Sequence, residues 1–588
     1  MNRLNQLISA LADRPYHQVQ ALQGAYDCPG FKLRLIRIQR STGAHPASIA
    51  SVTVRRRDSA IPADYLQAGG GKLAVADFLI RRFRQHIDRF ALQNRGKEGS
   101  GSFATIELSQ KMLARDSVLI DQAAIELRFM ISLPAKGPGG GVFDAEQARI
   151  MLDQELPAIV DATFFYARYN QPARILLDRF IDVATMRTVI SRFMRAHRLV
   201  AFIADGARLP RRSGIDDRPA ADETVIAFQA PDALRVEIPL PDGRQLSGMG
   251  IREGVTCITG GGYHGKSTLM QALLAGVYAH VPDDGREWVV TREDAFFIRA
   301  EDGRSIKDVD ISPFIGDLPN GLKTDHFSSD NASGSTSQAA AIVEAVESGS
   351  RLLLFDEDTC ATNFLVRDAL IEQVLDPSLE PIRPLYATVR TLWKKQRVSM
   401  IFVIGGLGHF LLKADTCLLM AHYRCHDITA NVRARLGAIV DDDAPVEGGP
   451  PARRLAAGNF DPAYENKRLK KTLAKRIKPL RHAPRQLEYG MDLVNLEAVA
   501  QIAEAPQVLA LGYCLLALRH KITQSADRPE TIRFWIDRLY DDIAEHGLSV
   551  LAPDYPGTLS MPRKYELAAA INRIRSLRIV EPCDGVKI

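Results

Sequence analysis

The stretch 258–269, ITGGGYHGKSTL, constrains this chain more than any other. It sets Gly260, Gly265, Lys266 and Ser267 at the fixed positions of a G-x-x-x-x-G-K-[ST] phosphate-binding loop. A backbone that wraps a phosphate closely needs residues without side chains, and Gly260, Gly261, Gly262 and Gly265 supply them. Tyr263 and His264 complete the loop. Lys266 brings a positive charge to the β- and γ-phosphates. Ser267 offers a hydroxyl to Mg²⁺. Thr268 follows on a helix whose N-terminus faces the anion. The flanks agree: 255–259 reads as a short buried strand and 267–278 as a helix.

Further along, the run 351–357, RLLLFDE, ends a buried apolar strand on two carboxylates. Asp356 is placed to hold Mg²⁺ directly or through water, and Glu357 to orient and polarise an attacking water. Phosphoryl transfer to water asks for positioning and charge stabilisation rather than covalent chemistry, so this pair suffices in kind. Between loop and acids lies 331–338, NASGSTSQ. Ser333, Gly334 and Ser335 bring hydroxyls and N–H groups to a helix start, an anion site by its chemistry, although a serine-rich helix cap reads the same. The helix itself is expected over 337–348 and another buried strand over 399–404. Glu301 or Asp302 is a further candidate for Mg²⁺ or water, Arg304 for phosphate and Phe228 for stacking on adenine. The alternatives are a charged turn and a core phenylalanine.

The chain has 588 residues, room for three or four domains. Three are expected: a mixed α/β region over 1–210, a β-turn-α core over 211–445, and a basic linker with a mainly helical end over 446–588. Strands are read at 31–38, 51–55 and 124–132, and helices at 4–11, 74–90, 144–166, 174–198, 493–504, 508–521, 529–545 and 564–577. Seven scattered cysteines without a C-x-x-C pair argue for a reducing, cytoplasmic compartment and against a zinc module. The longest apolar run, 508–518, is too short to span a bilayer, and the start shows no secretory core. The net charge of +5 is diluted over this length, so clusters matter more. Arginines gather at 55–57, 81–84, 192–198 and 208–212, and a dense basic run spans Lys467 to Arg485. Each is either a solvated face or part of a phosphate-backbone surface.

Taken together, GMGI, GGGYHGKST, IRAEDGR, DISPFI, ASGSTSQAA, FDEDTCATNF and VIGG resemble the large stand-alone "ATPase of the ABC class" family, strongly over 200–420 and more weakly through 133–135 and 208–214. The resemblance implies an ABC-type P-loop core with extra N- and C-terminal domains and no membrane partner in the chain. It implies a homodimer in which Ser333-Gly334 faces the γ-phosphate held by the other protomer, with Asp358–Asn363 crossing the interface. Two departures stand out. No conventional Gln loop is present, and Gly405 stands where the family's switch histidine aligns, with His409 four residues later as a candidate substitute. These place the hydrolysis rate in question rather than nucleotide binding. The expected function is an ATP-hydrolysing dimeric clamp coupled to nucleic acid, RNA slightly ahead of DNA. The alternative is a protein-remodelling or signalling ATPase, and a transporter subunit ranks last.

Overall fold

The computed structural model describes residues 2–42, 48–67, 69–92, 95, 100–221, 224–374, 376, 379–441, 452–455, 477–480, 482–525, 529–552 and 557–580. By its internal contacts the chain forms two units, 1–188 with 547–561, and 189–546 with 562–588.

The first unit is built on an antiparallel sheet in the order Gly24–Cys28, Phe31–Arg37, Ser48–Arg55, Ala124–Ser132, Ser102–Ala104. Val118–Ile120 also pairs with Ala124–Ser132. Phe31, Leu33 and Leu35 turn inward while Lys32 and Arg34 face out, the alternation of a sheet wet on one side. The helix Gly71–Phe90 packs on the sheet's inner face, its Phe83 ring 5.1 Å from that of Phe129. Two arginines expected on the polar side of this helix are engaged internally instead. Arg81 pairs with Asp77 across one helical turn, and Arg82 donates to the Ala162 carbonyl at 2.9 Å with its guanidinium 4.4 Å from the Tyr169 ring centre. Long stems let both guanidinium groups reach buried acceptors, which a count of charges along the chain does not reveal. Arg55 pairs with Asp58 at 2.7 Å, and Arg56 donates to the Asp121 carbonyl.

The segment 547–561 returns to this first unit. Asp116, 1 % exposed, accepts hydrogen bonds from the Gly557 and Leu559 N–H groups at 2.9 and 2.7 Å, and the Met561 N–H donates to the Ala114 carbonyl at 2.8 Å.

The second unit holds a six-stranded sheet ordered Ala295–Ile298, Leu352–Asp356, Ser399–Val403, Val255–Thr259, Thr416–Ala421, Arg424–Asp427. The first five run parallel, so their C-terminal ends share one edge, and Arg424–Asp427 closes the far side antiparallel. Burial on both faces accounts for runs such as LLLF and MIFV, which show no alternation. A second, antiparallel sheet has the order Arg235–Pro239, Gln245–Arg252, Leu199–Ala204, Val289–Thr291.

Toward the C-terminus one expected helix is absent. Residues 493–504 form the second strand of a hairpin, Ala483–Tyr489 with Asp492–Asn495 turning at Gly490 (φ 64°), and then turns. The apolar run Leu493-Val494-Asn495-Leu496 is short enough for either periodicity, and pairing across the glycine turn decides it. The helix Ala505–Gln524 packs closely here, because a Cβ on Gly512 would stand 2.4 Å from Ile477 Cγ2. Helices Ile532–His546 and Lys564–Ile571 follow. Residues 467–476 and 481 of the basic run lie outside the described residues. Its described end forms the strand Lys478–Leu480 and the start of Ala483–Tyr489. Among the described residues no helix is long and apolar enough to cross a membrane.

Asp116→Ala leaves two buried N–H donors unsatisfied and is expected to destabilise the first unit by about 2 kcal/mol or more. Hydrogen exchange should show 557–561 losing protection before the rest of the chain. Unchanged protection there would separate Asp116 from the anchoring of this segment.

Candidate nucleotide site

Val255–Thr259 runs between Ser399–Val403 and Thr416–Ala421, and the loop leaves its end. Gly260 takes φ 143°, and a Cβ there would stand 2.3 Å from the Met420 carbonyl oxygen, so only glycine lets the chain turn away beside that strand. Gly265, at φ 97°, is the N-cap of the helix Lys266–Ala275, which ends at Gly276, earlier than the spacing predicts. Tyr263 takes φ 62° and stands fully in solvent. The Lys266 ammonium donates to the Gly260 and Gly261 carbonyls at 2.7 and 2.9 Å, lying across the loop. Ser267 is exposed, and its hydroxyl makes no hydrogen bond to the described residues.

Asp356 ends the strand next but one, at the same level. Val403 pairs with Ile258 on one side and with Asp356 on the other, setting the carboxylate two strands, or about 10 Å, across the edge from the root of the loop. Asp356 is 7 % exposed, and its carboxylate accepts one long bond, from Asp358 N–H at 3.4 Å. Burial pushes its carboxyl above the ordinary value. Glu357 is held firmly. Its Oε2 accepts from the N–H groups of Gly405 at 2.6 Å, Gly406 at 3.0 Å and Leu407 at 3.4 Å. Sequence reading set Gly405 in the place of a histidine and saw only a loss. In the folded chain the two glycines let three successive N–H groups cup a carboxylate 48 residues upstream. A methyl on Gly406 would meet Glu357 Oε1 at 3.3 Å. The signal open to a reader of the sequence was the Gly405-Gly406 pair directly after a buried strand.

The serine-rich segment starts its helix earlier than expected, at Gly334–Glu347 with Ser333 as N-cap. The Ser337 N–H donates to the Ser333 carbonyl at 2.9 Å, the first helical bond. The Ser333 hydroxyl does not cap; it meets those of Thr336 at 3.0 Å and Ser335 at 3.3 Å. No hydrogen bond or ring contact joins Ser333, Gly334 or Ser335 to residues 260–268 of the same chain. Two carboxylates near the end of this helix are taken by buried arginines: Glu344 by Arg304, and Glu347 by Arg453 at 2.6 Å.

Arg304, 6 % exposed, is therefore committed to Glu344 and does not reach for phosphate. Glu301 is committed to Arg573. Burial raises its carboxyl, but Arg573 and Arg304 more than reverse this and hold it below the ordinary value. Asp302 stays exposed beside the signature, its Oδ1 3.2 Å from where a Cβ on Gly334 would stand. Phe228 is 4 % exposed and belongs to the core, not to a stacking surface. His409 packs edge-on against Tyr386, ring centres 5.8 Å apart.

Comparison with known proteins adds to this geometry. Residues 174–444 match the P-loop domain model of the ABC ATPases, 1–167 match "ATPase of the ABC class N-terminal", and 481–580 match the MRB1590 C-terminal domain. An uncharacterised protein of Methanocaldococcus jannaschii is 34 % identical over 181 residues, 29 % of this chain and 40 % of that protein's length. Among solved structures, CbiO1 of Clostridium perfringens, part of the ABC transporter complex CbiONQ, is 13 % identical over 41 % of this chain and 92 % of its own, with a TM-score of 0.24. A bacterial Atm1-family ABC exporter with ATP bound is 14 % identical over 50 % of this chain and 51 % of its own, with a TM-score of 0.23. The family assignment does not rest on these two superpositions. Two family models match residues 1–167 and 174–444, most of the chain, and the protein belongs to the stand-alone ATPases of the ABC class.

Proposed function

We propose that this chain binds and hydrolyses ATP as a homodimeric clamp whose closure is coupled to nucleic acid. One observation supports the shared site most. The loop 260–268, Asp356 and Glu357 gather at one sheet edge, whereas the Ser333 hydroxyl and the N–H groups of its helix start make no hydrogen bond to the loop in the same chain. A helix start with anion-binding chemistry that is not bonded to its own chain's phosphate loop suits a γ-phosphate presented by a second copy. Ser267, whose hydroxyl bonds to none of the described residues, and Asp356, a buried carboxylate with one long hydrogen bond among them, suit a hard cation that takes oxygen ligands. Mg²⁺ held there would neutralise charge on the β- and γ-phosphate oxygens. Lys266 exchanges its two carbonyl partners for phosphate oxygens. Glu357, released from the Gly405–Leu407 N–H groups, orients the attacking water and accepts its proton. While those N–H groups hold Glu357, turnover is slow, so closure and release are coupled.

The nucleic-acid half of the reading rests on the basic run Lys467 to Arg485, a sequence-independent grip for phosphates. The earlier arginine clusters add less. Arg198 pairs with Glu253 at 2.9 Å and Arg211 with Asp284 at 2.6 Å, alongside the pairs formed by Arg55 and Arg81. Arg55 and Arg198 stay largely exposed in their pairs, whereas Arg81 and Arg211 are mostly buried in theirs, and the buried pairs favour the second reading, in which the clamp acts on a protein partner. ATPase rates with single- and double-stranded RNA and DNA, at low and moderate salt, separate the two. Stimulation that fades with salt supports nucleic acid, and a rate indifferent to all four supports a protein partner.

Three variants test the ATP chemistry. Lys266→Ala should weaken ATP binding at least about 100-fold in calorimetry, since it removes the loop's only cation; near-normal affinity would contradict the loop's role. Glu357→Gln should bind ATP normally and lose turnover by roughly 100-fold or more; an unchanged rate would remove Glu357 from the chemistry. Gly406→Ala crowds the carboxylate it helps to hold. The basal rate should rise several-fold with ATP affinity unchanged, and a fall would show that the N–H cup supports catalysis rather than restrains it.

A further inference from the structure

Among the described residues three aromatic side chains are exposed, Tyr263, Tyr423 and Phe534, and the first two stand at the phosphate loop. Tyr423 arrives there by a strained route. Thr416–Ala421 and Arg424–Asp427 pair antiparallel with Ala421 opposite Arg424, so His422 and Tyr423 alone make the turn. Both have positive φ, 49° and 62°. This is the backbone of a type I′ hairpin turn, which asparagine and glycine occupy readily and which an imidazole and a phenol disfavour. A tight turn gains nothing from these side chains, and their presence points to work outside the hairpin.

The turn is fastened to the loop. The His422 N–H donates to His264 Nδ1 at 2.7 Å, and the two rings meet edge-on at 4.9 Å. Tyr423 Cδ1 lies 3.4 Å from where a Cβ on Gly265 would stand, so the phenol ring flanks the residue just before Lys266. Tyr423 is nevertheless 57 % exposed, although its ring approaches the loop at Cδ1. The next residue, Arg424, lines a cleft of about 560 Å³ with Gln229, Asp232, Arg235 and His426, and donates to Gln229 Oε1 at 3.3 Å. A flat aromatic surface next to a phosphate loop, with amide, guanidinium and imidazole groups beyond it, matches what a purine nucleoside offers: a π-face to stack, and base edges and ribose hydroxyls to bond.

We infer that the His422–Tyr423 turn is the nucleoside wall of the site, with the Tyr423 ring stacking on the adenine base of ATP and the Gln229–Arg424 cleft receiving its outer edge. This rests on the reading of residues 260–268 as an ATP site. Phe228, buried, leaves the role open. Tyr423 acts as an affinity and specificity residue and takes no part in bond breaking.

The test is Tyr423→Gly in the full-length chain, with three readouts: melting temperature, affinity for ATP, and affinity for inorganic tripolyphosphate, which carries the phosphates without the nucleoside. Glycine relaxes the turn, so the melting temperature should hold or rise. ATP affinity should fall about tenfold, in the range that loss of one base-stacking aromatic produces. Tripolyphosphate affinity should not change, and Tyr423→Trp should restore ATP binding. The inference is overturned if ATP affinity stays within about twofold of wild type, or if ATP and tripolyphosphate weaken together. A wild-type chain that binds tripolyphosphate as tightly as ATP sinks the nucleoside wall alone, whereas one that binds neither sinks the ATP site with it.

Discussion

Val403 pairs with Ile258 on one side and with Asp356 on the other, and this shared register fixes the chemistry at the sheet's edge. A slip of one residue in either pairing would turn every side chain of that strand to the opposite face and carry Asp356 off the level of the loop. The register is costly to disturb because all three strands are buried. Leu352, Leu353, Leu354, Met400, Ile401, Cys257 and Ile258 are each at most 1 % exposed. Each large apolar side chain contributes about 1.5–3 kcal/mol on burial. Apolar strands without alternation thus do two jobs at once, forming the core and placing the carboxylates.

Each charged group at this edge that would meet ATP already has partners inside the chain. Lys266 spans two loop carbonyls, and Glu357 sits in three backbone N–H groups. In the proposed mechanism each would exchange one set of hydrogen bonds for another as ATP binds. The signature helix is fixed from its far end instead. Arg304 on Glu344 and Arg453 on Glu347 are buried pairs, and loss of either arginine would strand a carboxylate in the core. Arg453 also donates to Asn572 at 2.7 Å, so the C-terminal part of the chain is tied to the helix that begins at Ser333.

Sequence reading succeeded where chemistry demands residues at fixed positions. The loop 260–267 and its preceding strand, and the strand ending at Asp356, follow from glycine, lysine and apolar runs whose roles are local. It failed where the deciding partner is distant in sequence. Arg304 and Arg82 read as free cations because Glu344 and the Ala162 carbonyl gave no sign of facing them. Gly405 read as a missing histidine because nothing nearby indicated that Glu357 would fold onto it. The helix at Ser333 started three residues early because an N-cap serine and an interior serine look alike in a serine-rich run. The turn at 490 decided between strand and helix for 493–496, where periodicity alone was ambiguous.

The central claim is that one ATP is shared by two chains, and complementation between two inactive variants tests it most directly. One chain carries Lys266→Ala, which disables the loop. The other carries Ser333→Arg, which blocks the signature. If each site takes its loop from one protomer and its signature from the other, random mixing should restore about a quarter of the wild-type ATPase rate. Half the dimers are then mixed, and each mixed dimer holds one intact site of two. Rates in the mixture that never exceed the average of the two variants alone would show that each chain hydrolyses ATP, if at all, within itself.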